Sequence, residues 1–216
     1  MSAGASNDPH TIADERALRE LYGPTHPIAK IKCLDALDDH ARAFIERSPF
    51  LCLSTQGADG GADVTPRGDA PGFVAMLDER TLAIPDRPGN NRLDSLTNIL
   101  GNPAVGLLFL VPGFDDTLRV NGRATLSTEP SLLAGMIVNA KTPTLAIVID
   151  VEEVFLHCAK AFRRARLWDP TARQDRREMP SLRKMVLDQT TGAPDDPAEV
   201  ARLDAELEAE YERTMY

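Results

Sequence analysis

A chain of 216 residues with a formal charge of −9 at pH 7 and 43% hydrophobic residues is long enough to bury one core and too short for two comfortable domains. With glycine counted and tyrosine left out, the apolar share is roughly 48%, which excludes wholesale disorder. The acidic excess argues against a chain-wide binder of nucleic acid or anionic membrane.

The first ten residues are small and polar and are expected to fray. Thr11 precedes a short predicted helix over 12–21 that stops at Gly23-Pro24, and a second helix is predicted over 35–47 with Leu37, Ala41, Phe44 and Ile45 on one face. From Pro49 the pattern changes to short apolar runs separated by turn clusters, which predict strands over 50–55, 62–65, 72–77, 81–84, 105–111, 117–126 and 144–155. In the 117–126 run Leu118, Val120, Gly122, Ala124 and Leu126 alternate with polar residues, as a half-buried antiparallel strand requires. Helical inserts are predicted over 92–100 and 131–140. Beyond Pro170 come a basic helix over 180–187 and an acidic helix over 197–213, whose Val200, Leu203, Leu207 and Tyr211 need something to pack on. The division is therefore an N-terminal extension over 1–35, a mainly β domain over 36–170, and a helical tail over 171–216.

Charge is unevenly spread, because residues 160–184 hold nine basic and three acidic side chains while 185–216 hold two basic and nine acidic. Cys33, Cys52 and Cys158 form no C-x-x-C pair, a pattern of reduced thiols rather than a disulfide framework or zinc site. His10, His26, His40 and His157 lack metal-ligand spacing, so no metal is expected. No run approaches the ~18 apolar residues of a membrane span, and no charged-then-apolar leader opens the chain; a soluble cytoplasmic protein is the expectation.

Three segments carry candidate chemistry. In Pro85-Asp86-Arg87-Pro88-Gly89-Asn90-Asn91-Arg92-Leu93-Asp94-Ser95 a strand ends, and Asn91 or a neighbour caps a helix. Gly89 and the two asparagines tolerate left-handed angles, so the entering amides can converge on an anion. Arg87 and Arg92 add charge, and Ser95 a hydroxyl. The same segment also fits an ordinary capped helix with solvated arginines. In Asp63-Val64-Thr65-Pro66-Arg67-Gly68-Asp69 the Pro and Gly force a special backbone course that sets Arg67 beside main-chain groups a flat ligand could bond, or simply form a surface turn. In the run from His157 to Pro170, Trp168 stands beside a basic stretch with Lys160 and Arg163, an aromatic plate with cations or a solvated face.

Together and in this order, these segments, with Asn102-Pro103-Ala104-Val105-Gly106 and Leu118-Arg119-Val120-Asn121-Gly122, resemble the pyridoxamine 5'-phosphate oxidase-like, FMN-binding split-barrel family, over about 36–170. The resemblance is to its uncharacterised bacterial branch of FMN-dependent enzymes. It implies a mainly β fold with peripheral helices: a six-stranded antiparallel split β-barrel, dimeric, with FMN in a cleft between subunits. It places Arg67 and its neighbour Gly68 along the flavin and Asn90, Asn91, Arg92 and Ser95 near the phosphate, with Pro85 and Arg87 also among the cofactor-binding residues. Lys160, Arg163 and Trp168 fall near the cleft, from this subunit or the other. The implied activity is an FMN-dependent oxidoreductase acting on a small organic substrate or reduced nicotinamide, with no side chain assigned as catalytic. The alternative is a non-enzymatic flavin- or haem-binding split barrel. The Trp168 region departs from the C-terminal tryptophan-and-arginine signature of the founding oxidases, which counts against pyridoxamine phosphate as substrate.

Overall fold

The structure is a computed structural model describing Asp8 and residues 10–216; the expected frayed start falls mostly on residues outside these. Three helices come first, α1 (Glu15–Tyr22), α2 (Pro27–Ile31) and α3 (Asp39–Arg47). Thr11 is not the cap of α1. Asp14 takes that place by accepting from the Ala17 N–H, and Gly23, at φ 69°, ends the helix. The helix predicted from residue 35 starts later, because Leu34 pairs with Val154 and the Leu37 N–H is bonded to the Glu79 carbonyl. Asp38 caps α3 through the Ala41 N–H, and Ala41, Phe44 and Ile45 are its buried face.

Seven strands follow: β1 (Phe50–Gln56), β2 (Ala62–Gly68), β3 (Ala75–Met76), β4 (Thr81–Pro85), β5 (Ala104–Leu110), β6 (Thr117–Ser127) and β7 (Ala146–His157). They form one antiparallel sheet in the order β2-β1-β5-β6-β7-β4-β3. Seven rather than six is a small correction. The strand expected over 72–77 shrinks to two residues because Gly72, at φ 80°, turns back against the Glu46 carbonyl and the chain bends again at Val74.

One face of the sheet is apolar along β1, β5, β6 and β7, whereas the same face of β2 carries Asp63, Thr65 and Arg67. Leu51, Leu53, Leu107, Phe109, Leu118, Val120, Ile147, Ile149 and Val154 are buried there, at roughly 1.5–3 kcal/mol per large side chain. The face is closed by α3 and by α4 (Asp94–Gly101), which contributes Leu96 and Ile99. The insert expected over 131–140 is only α5 (Pro130–Ala134), because Asn139 and Ala140, both with φ above +45°, close a tight turn between Val138 and Lys141. Beyond β7 lie α6 (Lys160–Ala165), α7 (Leu182–Asp188) and α8 (Pro197–Thr214); the last two pack on each other and bury no residue. Among the described residues no helix is long and apolar enough to cross a membrane.

Among the described residues the sheet does not close on itself through backbone hydrogen bonds. Its β2 edge and the chain leaving β4 are bridged by side chains instead: Arg67 to Asp86 at 2.7 Å, Arg87 to Asp69 at 2.7 Å, and Thr65 to Ser95 at 3.1 Å. The space along this seam is a cleft.

Candidate functional site

The cleft encloses about 630 Å³, within the usual span of small-molecule sites. Thr65, Pro66, Arg67, Gly68 and Phe73 form one wall, the chain from Pro85 to Leu96 the other, and Lys141 to Thr144 with Tyr216 one end.

At the α4 end the backbone itself is unusual. Asn91 and Leu93 sit at φ 55° and 61°, and Leu93 occupies the N-cap position without a side-chain hydrogen bond to the helix amides. Of the three residues expected to allow left-handed angles, Asn91 adopts one but Gly89 and Asn90 do not, and Asn90 instead accepts from the Arg92 N–H at 3.1 Å. A leucine in this region is strained by about 1–2 kcal/mol, a cost that concentrates at functional sites. The first turn of α4 thus meets the cleft with uncapped amides and the positive end of the helix dipole. Arg92 stands beside it, largely exposed and paired with Asp94 at 2.8 Å.

Ser95, expected to supply a hydroxyl to the anion, has that hydroxyl engaged within the protein. It is buried, and its hydroxyl donates to Asp63 at 3.1 Å and lies 3.1 Å from the Thr65 hydroxyl. Asp63 also accepts from Thr55, which accepts from Asn98. This network fastens α4 to β1 and β2, so that Ser95 fixes where the helix start points.

The middle of the cleft is set by two ion pairs. Arg67 is bound to Asp86, and its Nε is buried without a partner. Arg87 is bound to Asp69, whose side chain is only 2% exposed, and donates a second bond to the Met136 carbonyl at 3.0 Å. Burial works to raise the Asp69 pKa, but hydrogen bonds from Tyr216, the Ala70 N–H and Arg87, with the Arg87 charge, outweigh it and hold the carboxyl below its ordinary value. Conversely, the bond to Asp69, burial and the Asp69 charge hold the Tyr216 phenol above its usual range, against an opposing pull from Arg87. Tyr216 is therefore a neutral donor at physiological pH.

The sequence pattern of the pyridoxamine 5'-phosphate oxidase family matches residues 37–158, more than half of the chain. This protein belongs to that family. As in the family, the sheet is a split barrel, and the matched segment supplies both long walls of the cleft. Among solved structures, HupZ of Group A Streptococcus is 18% identical, covering 56% of this chain and 93% of its own, with a TM-score of 0.46. An FMN-binding protein of Syntrophomonas wolfei is 12% identical, covering 67% and 97%, with a TM-score of 0.43. General stress protein 26 of Bacillus anthracis is 16% identical, covering 53% and 88%, with a TM-score of 0.39. No curated protein matches.

In this family member Arg67, Gly68, Pro85, Arg87, Asn90, Asn91, Arg92 and Ser95 all line one cleft. Lys160, Arg163 and Trp168 do not. They follow β7, where Arg163 bonds Asp115 and the Trp168 ring N–H donates to the Phe114 carbonyl at 2.7 Å. His157 lies on β7 against Phe155, its pKa lowered by burial and by the charges of Arg119 and Lys32. Among the described residues no group of three or more His, Cys, Asp or Glu side chains is placed to hold a metal ion. Sequence reasoning missed Lys141 and Tyr216 as cleft residues. Nothing local marks either one, since both arrive by loop and tail paths from outside the paired walls.

Proposed function

We propose that this protein is an FMN-dependent oxidoreductase acting on a small organic substrate or reduced nicotinamide, and that it works as a cytoplasmic homodimer. The observation that carries the reading is the polarity of the cleft: uncapped amides and Arg92 at one end, and a wall of Thr65 to Gly68 beside Pro85 along its length. That donor set fits a phosphate joined to a planar heteroaromatic ring. FMN, when bound, supplies the redox chemistry, and the protein's part is to hold and orient it.

In this reading Arg92 and the amides at the start of α4 anchor the phosphate. Asp94 shares Arg92, so phosphate binding means exchanging one anion for another at that guanidinium. Arg67 lies along the ring, held in place by Asp86. Arg87 lends positive charge to the cleft without a free fork, since Asp69 and Met136 already occupy it.

The outer face of the sheet supports a second copy. Pro66, Cys52, Leu108, Arg119 and Phe155 follow one another across it in register, and none is buried. Arg119 stacks on Phe155 at 3.9 Å and pairs with Glu153, leaving a half-exposed apolar row for a partner to cover. Lys160, Arg163 and Trp168 then reach toward the partner's cleft rather than their own.

The absorption spectrum after adding FMN tests the reading directly. A stoichiometric yellow complex is expected, a Soret band after adding haem would favour the haem-binding alternative, and failure to bind flavin would overturn the proposal. Arg92→Ala is expected to weaken FMN by roughly 10- to 100-fold, the range for a hydrogen bond to a charged group, while leaving riboflavin nearly unchanged. Equal losses for both ligands would remove Arg92 from the phosphate.

A further inference from the structure

From Pro170 onward the chain largely serves itself. Asp169, Asp175, Ser181 and Asp196 each cap the turn or helix that follows, and neither α7 nor α8 buries a residue. Among the described residues, the hydrogen bonds that tie this tail to the barrel are those of Tyr216. Its hydroxyl donates to Asp69 at 2.8 Å, its backbone carbonyl accepts from the Lys141 ammonium, and its ring lies 5.8 Å from the Arg87 guanidinium carbon.

The three groups that receive Tyr216 are held by the barrel itself. Arg87 fixes Asp69, the Met136 carbonyl fixes Arg87, and the paired left-handed residues Asn139 and Ala140 turn Lys141 toward the cleft. What they recognise is a defined chemistry: an aromatic ring over a guanidinium, an O–H donor to a carboxylate at one end, and a carbonyl or carboxylate oxygen on an ammonium at the other.

We propose that Asp69, Arg87 and Lys141 form a subsite for a hydroxylated aromatic carboxylate, and that Tyr216 fills it as an internal occupant. The proposal rests on the flavin reading and deepens it: the Arg92 end of the cleft takes the cofactor, and the Arg87 end takes an aromatic substrate once the tail withdraws. Because Asp69 is ionised and almost wholly buried, a ligand without the hydroxyl leaves it short of a donor, which makes the subsite selective.

The probe is 3-(4-hydroxyphenyl)propanoate, which reproduces the phenol, spacer and carbonyl oxygen of Tyr216. It is titrated calorimetrically into the full-length protein and into Tyr216→Ala, each with and without FMN, after circular dichroism has shown that the variant is folded. Tyr216→Ala is expected to bind at least ~10-fold more tightly than the wild type, in which Tyr216 competes. The same variant should bind 3-phenylpropanoate roughly 10-fold more weakly than the hydroxylated probe. Equal binding to both proteins, no binding to the variant, or indifference to the hydroxyl would each overturn the subsite. If Tyr216→Ala does not fold, Tyr216→Phe takes its place, since losing the bond to Asp69 must also favour the probe. A protein that takes the probe but no FMN keeps the subsite and loses the flavin reading; one that takes FMN but never the probe does the reverse.

Discussion

Arg87→Ala is expected to lower the stability of the fold by about 3 kcal/mol, the low end for breaking a buried ion pair. The Asp69 side chain is 2% exposed and Arg87 16%, so removing the guanidinium leaves a carboxylate inside the protein with only Tyr216 and the Ala70 N–H as donors. The Met136 carbonyl loses its donor as well. Urea unfolding monitored by circular dichroism measures the loss, and Arg92→Ala is the control. That ion pair is largely exposed, so the control should move stability by no more than about 0.5 kcal/mol. A similar small effect for both would show that Arg87 is a solvated cation after all.

The pH dependence follows from the direction of the Asp69 shift. Its folded pKa lies below the ordinary value of 3.8, so its contribution to stability is present above that value and is lost as the pH falls through the lower folded one. In Arg87→Ala the balance turns toward burial, which favours the neutral carboxyl. The deficit of the variant relative to the wild type should therefore narrow below about pH 4, where Asp69 can take up a proton.

The second large effect is expected at Gly122. A methyl group there would stand 2.1 Å from the Asp150 carbonyl oxygen and 3.1 Å from the Ile149 side chain. The register between β6 and β7 shifts between Asn121 and Gly122, so the backbones crowd at a bulge in the most extensively paired part of the sheet. Neither obstacle is the free end of a flexible side chain, and relief requires the two strands to part. Gly122→Ala should cost about 3 kcal/mol, or roughly 6–12 °C in the thermal midpoint of a chain of this size. Gly89→Ala is the matched control: no heavy atom lies within 4 Å of the added carbon and the backbone angle is ordinary, so it should be neutral or stabilise by a few tenths of a kcal/mol. A midpoint for Gly122→Ala within 2 °C of the wild type would contradict the bulge as described.

Most of the barrel was legible in the sequence because its strands alternate. Leu118, Val120 and Ala124 read as one face of a strand, and they are buried together in β6. The runs that failed are those where the backbone turns for reasons outside the run. Gly72 folds against the carbonyl of Glu46 in α3, and the residues after α5 enter the Val138–Lys141 turn. Periodicity cannot register a turn imposed by a distant neighbour.

For the cleft, the sequence by itself marked the candidate segments, and it was the family resemblance that set them around one site. The Arg67 segment and the stretch from Pro85 to Ser95 stood out because prolines, glycines and asparagines mark the ends of strands where backbone amides are left over, and the structure sets them as two walls of one cleft. Only the tertiary structure decided how the charges are spent. Arg87 and Arg92 look alike five residues apart, yet one is locked between Asp69 and Met136 while the other stands open beside the start of α4. The difference is made by Asp69, by Met136 and by Tyr216, a residue that no local pattern singles out. An arginine's role depends on which carboxylates and carbonyls the fold carries to it, and that long-range information is not written in the spacing of its neighbours.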